Sequence, residues 1–352
     1  MNLNARPIFL VLGPACALSL LNACSSGPAP QTQLLPSQGA APQSSAARKA
    51  GELLYATTLD WNTGSGTVYY YQAYGSDTSA LGSLAISPGY PNGVWTDRKG
   101  NVYVAVVNAG NNGRGYVNVY TPKLGRLLRT YTAGLDGPSG GAFDAVGNMY
   151  VSNVCGMAPS ISCYVFARRH GHPDTGKNQG SLNGYVAVFP AGGTQPSKYL
   201  QMPINIAVGV ALDARENVFV GNNTGGYAWN VVKFAAGATT GHVVPFRHVP
   251  YNRWVGAVAF DSNNELVASV NSTIDFWPRE RGKPAHKLTQ GVVAADGLAY
   301  GPDGTLFAGN YEFEQNEGNV IAFPPGATAP ARTYAVPYNN GVISVAVGGS
   351  GK

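Results

Sequence analysis

Apolar positions in this chain recur in a strand–turn–strand pattern. In Gly93–Val104 an apolar run leads to Thr-Asp, a polar turn with Gly-Asn follows, and a second apolar run ends the unit. Near-continuous apolar runs of this length are typical of strands covered on both faces, and Asp, Asn and Gly are typical of tight turns. Four further copies begin with Gly140–Asp144, Gly209–Asp213, Ala257–Asp261 and Gly297–Gly301.

A second motif, a short strand that ends in an aromatic residue, accompanies the first. Its copies are Thr67–Tyr71, Tyr116–Tyr120, Tyr185–Phe189, Asn230–Phe234, Ser272–Phe276 and Asn319–Phe323. Because the second motif occurs six times and the first has only five complete copies, one half-copy is missing. Ser344–Gly348 matches its first strand and Leu53–Ala56 its second, so the missing half is divided between the two ends of the chain.

These repeats predict an all-β fold: a six-bladed β-propeller over residues 51–352, with the last blade closed by both termini. Pairing the two ends removes the open sheet edges that a ring of blades must avoid. A solenoid would instead end in polar capping repeats. The composition agrees, since 46 Gly residues and only 12% charged residues argue against a helical protein.

The pattern resembles NHL-type repeats, in which an apolar strand, an Asp turn with Gly-Asn and a second apolar strand alternate. The resemblance extends from about residue 51 to residue 352 and implies the propeller fold. NHL repeats usually have Asp at the end of the second strand, where this chain has Asn153, Asn222 and Asn310. The turn Asp is also replaced, by Gly301 and Gly348.

The N-terminal segment predicts export and lipid anchoring. An apolar run too short to span a bilayer ends in Leu21-Asn22-Ala23-Cys24. This ending resembles the lipobox of bacterial lipoproteins, which implies that residues 1–23 are a signal peptide and that Cys24 is the lipidated first residue of the mature chain. The alternative is an ordinary secretory signal that is cleaved nearby.

Residues 24–50 follow the lipobox-like ending and are rich in Ser, Pro, Ala and Gln, which predicts a disordered tether. Ser25 after the cysteine resembles the sorting rule for the outer membrane. We therefore expect a lipid-anchored protein of the bacterial cell envelope, with the outer membrane favoured and the propeller outside the cytoplasm. The formal net charge of +5 is spread thinly, without a Lys/Arg block, so we expect no nucleic-acid partner.

Two of the four cysteines remain for the exported domain. Cys155 and Cys163 lie close together in sequence, and disulfides persist outside the cytoplasm, so we predict a disulfide between them. The alternative is a pair of buried free thiols. Both residues lie in the longest predicted loop, which runs from about residue 153 to residue 184.

Two groups of residues are candidates for metal binding. His170, His172 and Asp174 in the long loop offer ligand atoms, but their spacing matches no specific zinc pattern. Asp296-Gly297 resembles the segment that supplies a metal ligand in gluconolactonase-type propellers, which implies Asp296 as a catalytic candidate and a divalent metal in the channel. The equivalent positions of the other repeats are Asn92, Ser139, Val208, Gly256 and Ile343. With one carboxylate and one amide, this set is poor for a hard cation, so we expect no cofactor and interpret Asp296 as a turn residue.

Amides and aromatic residues near the strand ends are candidates for a ligand-binding face. They are Asn92, Asn153, Asn222, Asn310, Trp254 and Tyr311. Amides and aromatic rings suit sugars and peptide backbones. The alternative is structural, because Asn is common in loops and at strand ends through its local hydrogen bonds.

The functional hypothesis from sequence is a non-enzymatic binding scaffold for an unknown protein or glycan partner, attached to the membrane by its N-terminal lipid. No serine-nucleophile elbow, phosphate-binding loop or paired-carboxylate motif is present. The first alternative is a propeller hydrolase or lyase of the lactonase type that uses the central channel. The second is a structural element of a larger envelope assembly.

Overall fold

The computed structural model describes residues 51–60, 63–87, 89–107, 115–154, 184–201, 203–224, 228–247, 254–312, 317–337 and 341–349. These residues form six four-stranded sheets, which we call blades. Blade 6 contains β1 (Leu53–Asp60), β2 (Ser65–Gln72), β3 (Ala80–Ile86) and the last strand, β24 (Gly341–Gly348). Blade 1 contains β4 (Tyr90–Thr96), β5 (Val102–Val107), β6 (Gly115–Tyr120) and β7 (Leu127–Tyr131).

The other four blades repeat the order of blade 1. Blade 2 contains β8 (Pro138–Phe143), β9 (Met149–Asn153), β10 (Tyr185–Phe189) and β11 (Lys198–Leu200). Blade 3 contains β12 (Ile206–Leu212), β13 (Val218–Thr224), β14 (Ala228–Phe234) and β15 (His242–Val243). Blade 4 contains β16 (Val255–Phe260), β17 (Leu266–Val270), β18 (Thr273–Trp277) and β19 (His286–Leu288). Blade 5 contains β20 (Ala295–Tyr300), β21 (Leu306–Glu312), β22 (Glu317–Phe323) and β23 (Arg332–Ala335).

The first strand of each blade lies at the axis, and these inner strands form a closed ring. Each inner strand contacts the inner strand of the next blade, and β24 contacts β4. The prediction of an all-β, six-bladed propeller is therefore confirmed. Within blade 6, β1 pairs antiparallel with β24, so that Leu53 lies opposite Gly348 and Leu59 opposite Gly341.

The hydrophobic core lies between the blades, in six large clusters of buried residues. Each cluster is made by the facing surfaces of two adjacent blades. Between blades 3 and 4, for example, the rings of Phe219 and Phe260 meet edge to face at 4.8 Å. Because both faces of a middle strand meet such a cluster, its sequence is continuously apolar, as in Val102–Val107, which is buried throughout.

The predicted Asp turns join the first and second strands of blades 1 to 4. Asp97 Oδ1 accepts hydrogen bonds from the backbone N–H groups of Lys99 (2.8 Å) and Asn101 (2.9 Å). Its Oδ2 accepts one from the Asn101 side chain at 2.7 Å. Asp144 and Asp213 repeat all three bonds. The side chain thus replaces backbone partners in the turn, as the sequence predicts.

Two of these turns have a residue other than Gly at the left-handed position. Glu216 has φ 62° and Asn264 has φ 61°, a conformation that L-residues other than Asn and Asp rarely adopt. In both cases the side chain accepts a hydrogen bond from the turn of the preceding blade. Glu216 Oε1 accepts from Ala145 N at 2.7 Å, and Asn264 Oδ1 from Ala214 N at 2.8 Å. The backbone strain is offset by a link between blades.

The turn that lacks its Asp is completed by a neighbouring blade. An ideal Cβ at Gly301 would lie 2.0 Å from the hydroxyl of Tyr74, so a larger residue there would displace this hydroxyl. The Tyr74 hydroxyl donates to Asp303 Oδ1 at 2.8 Å, and the same oxygen accepts from Thr305 N at 3.0 Å. Burial is the main cause that raises the pKa of Tyr74, and the Asp303 carboxylate is the second. The hydroxyl therefore stays protonated and remains a hydrogen-bond donor.

The two faces of the ring differ. The Asp turns lie on one, which we call the turn face. On the opposite loop face lie the connections from second to third strand and those between blades. No helix in the described ranges is long and apolar enough to cross a membrane.

Candidate functional site

Every inner strand has a β-bulge at the same height, close to its loop-face end. The register of the first two strands slips in all six blades. Bulges re-aim side chains and are frequent next to functional sites. We call the first residue of each bulge an axial position. The axial positions are Asn92, Ser139, Val208, Gly256, Asp296 and Ile343.

All six axial positions line one central cavity of about 130 Å³. These are the six positions that the repeat alignment placed as equivalents of Asp296. Trp254, which immediately precedes β16, and Val154, which follows β9, also line the cavity. The cavity therefore occupies the loop-face half of the channel.

The channel is narrow because the inner strands approach one another backbone to backbone. An ideal Cβ at Gly93 would lie 1.4 Å from the carbonyl oxygen of Ser139 in blade 2. At Gly256 it would lie 2.6 Å from the carbonyl oxygen of Ala295, and at Gly297 it would lie 2.7 Å from Ser344 Cα. Since real Cβ atoms do not approach this closely, each close approach requires glycine.

Serine hydroxyls at the same height satisfy the backbone groups that the bulges release from the ladder. Ser344 Oγ accepts from Val94 N at 3.1 Å and so links blade 6 to blade 1. Ser152 Oγ accepts from Gly140 N at 2.8 Å and donates to Val208 O at 2.9 Å. These serines could not be predicted from the sequence, because a single Ser in an apolar strand is not a motif.

The chemistry at the cavity is limited to a few polar groups. Asp296 is the single carboxylate among the axial positions, and it is half-buried. The Asn92 amide donates to Pro138 O at 3.2 Å. Within the described part of the chain, no three His, Cys, Asp or Glu residues are grouped as metal ligands would be. This set does not fit a hard divalent cation, which needs several oxygen ligands.

Three of the predicted ligand-face asparagines lie inside the blades and not on an open face. Asn153, Asn222 and Asn310 are at most 2% exposed. Each is near the end of a second strand, and its side-chain oxygen accepts from the backbone N–H of the segment before the first strand. Asn271 does the same for Trp254 N, at 2.5 Å. These contacts agree with the structural alternative for the asparagines. In blades 2 to 5 the amide joins the second strand to the segment before the first strand, at the loop face.

The remaining ligand-face candidates divide between the cavity and the core. Asn92 and Trp254 line the cavity. Tyr311 is 4% exposed and lies against Gly341, where an ideal Cβ would fall 1.4 Å from its ring. Tyr311 is therefore a core residue, whose ring fills the space left by a glycine of β24.

Several predicted residues lie outside the described residues. They are the lipidation candidate Cys24, the disulfide candidates Cys155 and Cys163, and the metal candidates His170, His172 and Asp174. The lipid, the disulfide and the metal site in the long loop stay predictions.

Two larger grooves open between blades near the turn face. The groove between blades 1 and 2 has a volume of about 710 Å³, and the one between blades 4 and 5 about 550 Å³. Tyr103 and Tyr150 donate to the turn carboxylates of Asp97 and Asp144, both at 3.4 Å. Burial, followed by the nearby Asp144 carboxylate, raises the pKa of Tyr150 to about 12. This phenol is therefore neutral and donates its hydrogen bond to the turn.

Comparisons with known proteins identify the fold. No family model and no curated protein matches this chain. A chain in the crystal structure of a nidogen/laminin complex is similar, with 13% identity and a TM-score of 0.59 over 86% of this chain and 99% of that one. A Bacteroides caccae protein of unknown function gives 10% identity and a TM-score of 0.59 over 85% and 99%.

A third structure is of a protein proposed to be a gluconolactonase. It gives 14% identity and a TM-score of 0.48 over 74% of this chain and 87% of that one, too low to support an argument. At these identities the first two likenesses show the fold alone. The class that the fold defines is the six-bladed β-propeller.

Proposed function

We propose that this protein is a lipid-anchored, NHL-like propeller of the bacterial cell envelope that binds a protein or glycan partner through its loop face. The observation that supports this most is the construction of the axis. Six bulged strands converge there, but glycine contacts bring their backbones together and leave about 130 Å³. Pockets that enclose small ligands usually measure about 300–1,000 Å³.

The loop face suits a binding partner better than the narrow axial cavity does. The connections there, including the long segment that begins after Val154, differ in length from blade to blade. Loops on a rigid scaffold commonly bind ligands. The fold also occurs in a protein–protein assembly, the nidogen/laminin complex. Val293 on this face is 45% exposed.

The start of β1 defines the face at which the proposed tether would join the propeller. β1 begins at Leu53, opposite Gly348, and Thr96 Oγ1 at the end of β4 donates to Val347 O at 2.9 Å. The chain therefore enters blade 6 at the turn face. A lipid on Cys24 would then be connected to the propeller at the turn face and would leave the loop face free for a partner.

The lipid anchor is tested by labelling cells with a fatty-acid analogue. We expect the label on the wild-type chain and none on Cys24→Ser, which should be found in the soluble fraction. A labelled Cys24→Ser chain, or one that stays membrane-bound through its N-terminus, would contradict the anchor. An ordinary secretory signal would give an unlabelled wild-type chain.

Partner binding is tested by site-specific photo-crosslinking in intact cells. A photoreactive residue replaces Val293 on the loop face or, as a control matched for exposure, Val243 on an outer strand, which is 44% exposed. We expect a discrete adduct from position 293 and none from position 243. Equal labelling at both positions, or none at either, would contradict a loop-face partner. A large complex captured from both positions would favour the structural-element hypothesis.

A second candidate function is catalysis in the channel, which the position of Asp296 favours. The residue stands at the bulge of β20 and lines the same central cavity as Asn92 and Ser139. This is the lactonase-type alternative, with a divalent metal as its cofactor. Metal content and turnover of the wild-type chain and of Asp296→Ala separate it from the binding scaffold.

A disulfide between Cys155 and Cys163 belongs to the same proposal, because it would restrain a loop of an exported domain. Mass spectrometry after alkylation tests it. We expect two alkylated cysteines only after reduction, and alkylation without reductant would show free thiols.

A further inference from the structure

The turn-face side of blade 1 and the adjoining turn of blade 2 present cationic and aliphatic side chains together. We use the term basic patch for Arg98, Lys99, Lys123, Arg126 and Arg129 together with Leu128 and Val146. All seven are exposed, Val146 at 72% and Leu128 at 42%. Arg98, Lys99, Leu128, Arg129 and Val146 line the groove between blades 1 and 2. Lys123 and Arg126 lie in the connection from β6 to β7, beside Leu128.

The charge of the basic patch is not neutralised by the fold. Arg98 donates to the carbonyl oxygen of Ala145 and Arg129 to that of Gly192, both at 3.1 Å, and these acceptors carry no charge. Across the described ranges, none of the five cations forms an ion pair. The groove also contains two carboxylates, Asp97 and Asp144, which the turns hold by hydrogen bonds. Three cations of the patch, Arg98, Lys99 and Arg129, line the same groove and outnumber these two carboxylates.

The equivalent groove between blades 4 and 5 differs in sign. It is lined by Asp261, Glu265 and Asp303, with Lys287 and His286 as its basic residues. Lys287 lies 2.8 Å from Asp275, so its charge is paired. The groove between blades 1 and 2 is therefore more positive than the groove between blades 4 and 5.

The basic patch lies next to the point where the chain enters the propeller. Blade 1 is the neighbour of blade 6, and Lys123 N donates to the Tyr55 hydroxyl of β1 at 3.1 Å. β1 begins at Leu53 on the turn face. The tether predicted for residues 24–50 precedes it, and a disordered chain of that length would have an end-to-end distance of roughly 25–30 Å on average. A lipid at Cys24 would then keep the basic patch close to a bilayer.

We propose that the basic patch binds the surface of an anionic lipid bilayer. Basic side chains beside exposed aliphatic ones are the combination that binds such surfaces, through headgroup charge and shallow burial of the aliphatic tips. This proposal rests on the proposed anchor for its orientation, but the binding itself needs no acyl chain. The patch is a second contact that fixes how the tethered domain faces the membrane.

The test uses a chain that begins at Ser25, which lacks the signal segment and Cys24 and keeps every strand of the six sheets. Its binding to phosphatidylcholine vesicles and to vesicles that also contain phosphatidylglycerol is measured by co-sedimentation. We expect binding only to the anionic vesicles, weakened by added salt. Binding to both kinds, or to neither, overturns the proposal. Because no lipid can be attached to this chain, the result is independent of the anchor test.

Charge reversal locates the binding surface. Lys99→Glu with Arg126→Glu should lower the affinity for anionic vesicles about thirtyfold or more. The matched control is Arg279→Glu with Arg281→Glu, which changes the net charge equally in an exposed connection of blade 4. We expect the control pair to lower the affinity at most a few-fold. Equal losses for both pairs would show attraction to net charge alone and overturn the patch.

The aliphatic contribution has its own matched pair. Val146→Ser should lower the affinity several-fold at all salt concentrations, whereas Val243→Ser on blade 3 should not change it. Equal effects of the two substitutions would overturn the part assigned to Val146. Circular dichroism of each variant verifies that the blades are intact.

Discussion

The axis and the turn-face rim are made by the same strand–turn–strand unit, but the packing restricts them very differently. At the axis, Gly93 meets the backbone of Ser139 so closely that a single methyl group has no space. At the rim, Val146 in the turn between β8 and β9 of blade 2 is 72% exposed. Packing thus restricts the residue types that the first strand of a repeat can have, whereas the exposed positions of the turns can vary. Binding functions of this propeller should lie in the turns and loops, and substitutions should separate the two regions.

The largest effect is expected at the axial glycine. In Gly93→Ala the Cβ would overlap the carbonyl oxygen of Ser139, which must shift together with the inner strand of blade 2. We expect a loss of more than about 3 kcal/mol in the free energy of unfolding, measured by urea denaturation.

The control for this substitution is Gly349→Ala, since an ideal Cβ at Gly349 lies 4.0 Å from its nearest neighbour, Glu52 Oε1. We expect a change below about 0.5 kcal/mol there. If the two variants were equally stable, the backbone contact at the axis would not be a constraint.

A smaller effect is expected at the base of a turn. Asp213 is 6% exposed and accepts three hydrogen bonds, from Arg215 N and from the backbone and side chain of Asn217. Asp213→Ala leaves these donors without their acceptor and should cost about 2–3 kcal/mol, seen as a lower Tm. Arg215→Ala, an exposed change in the same turn, should leave the Tm nearly unchanged. A loss for both would mean that the whole turn is restricted, as the axis is.

The join between the first and last blades should be moderately sensitive. Ser344→Ala removes the acceptor of the Val94 N–H, a part-buried group at the contact of β24 with β4. The expected loss is about 1–2 kcal/mol. Ser83→Ala on the exposed strand β3 serves as the control and should cost little. Equal stability of Ser344→Ala and the wild type would show that the hydroxyl is not needed there.

The smallest effect on stability is expected at the rim. Lys99→Glu with Arg126→Glu should change the free energy of unfolding by less than about 1 kcal/mol, because both side chains are exposed and unpaired within the described structure. The same pair should strongly reduce binding to anionic vesicles. A large loss of stability in this pair would remove the distinction between axis and rim.

The fold was predictable from sequence because each repeat carries its own short pattern of strands and turns. The Asp turns, the continuous apolar strands and the half-repeats at the two ends are all visible as short patterns. The equivalence of Asn92, Ser139 and Asp296 was visible too, since the repeat alignment places them in register. What the alignment could not show is how tightly the inner strands meet, because this depends on contacts between blades far apart in sequence.

The site was harder to predict for the same reason. Asn153, Asn222 and Asn310 have the residue type of a ligand-binding face, and only the register shows that their amides bind backbone groups inside the blades. The basic patch was missed because its cations do not form a block in sequence. Arg98 and Arg129 lie 31 positions apart in sequence but line the same groove between blades 1 and 2 in the folded propeller.

The most direct test of the central claim, that the axis is structural and the propeller a binding module, is made on Asp296. Metal content and turnover on a panel of lactones and glycosides are measured for the purified wild-type chain and for Asp296→Ala. We expect no stoichiometric divalent metal and no turnover that depends on Asp296. A bound divalent metal and a turnover that are both lost in Asp296→Ala would contradict the account and establish the channel as an active site.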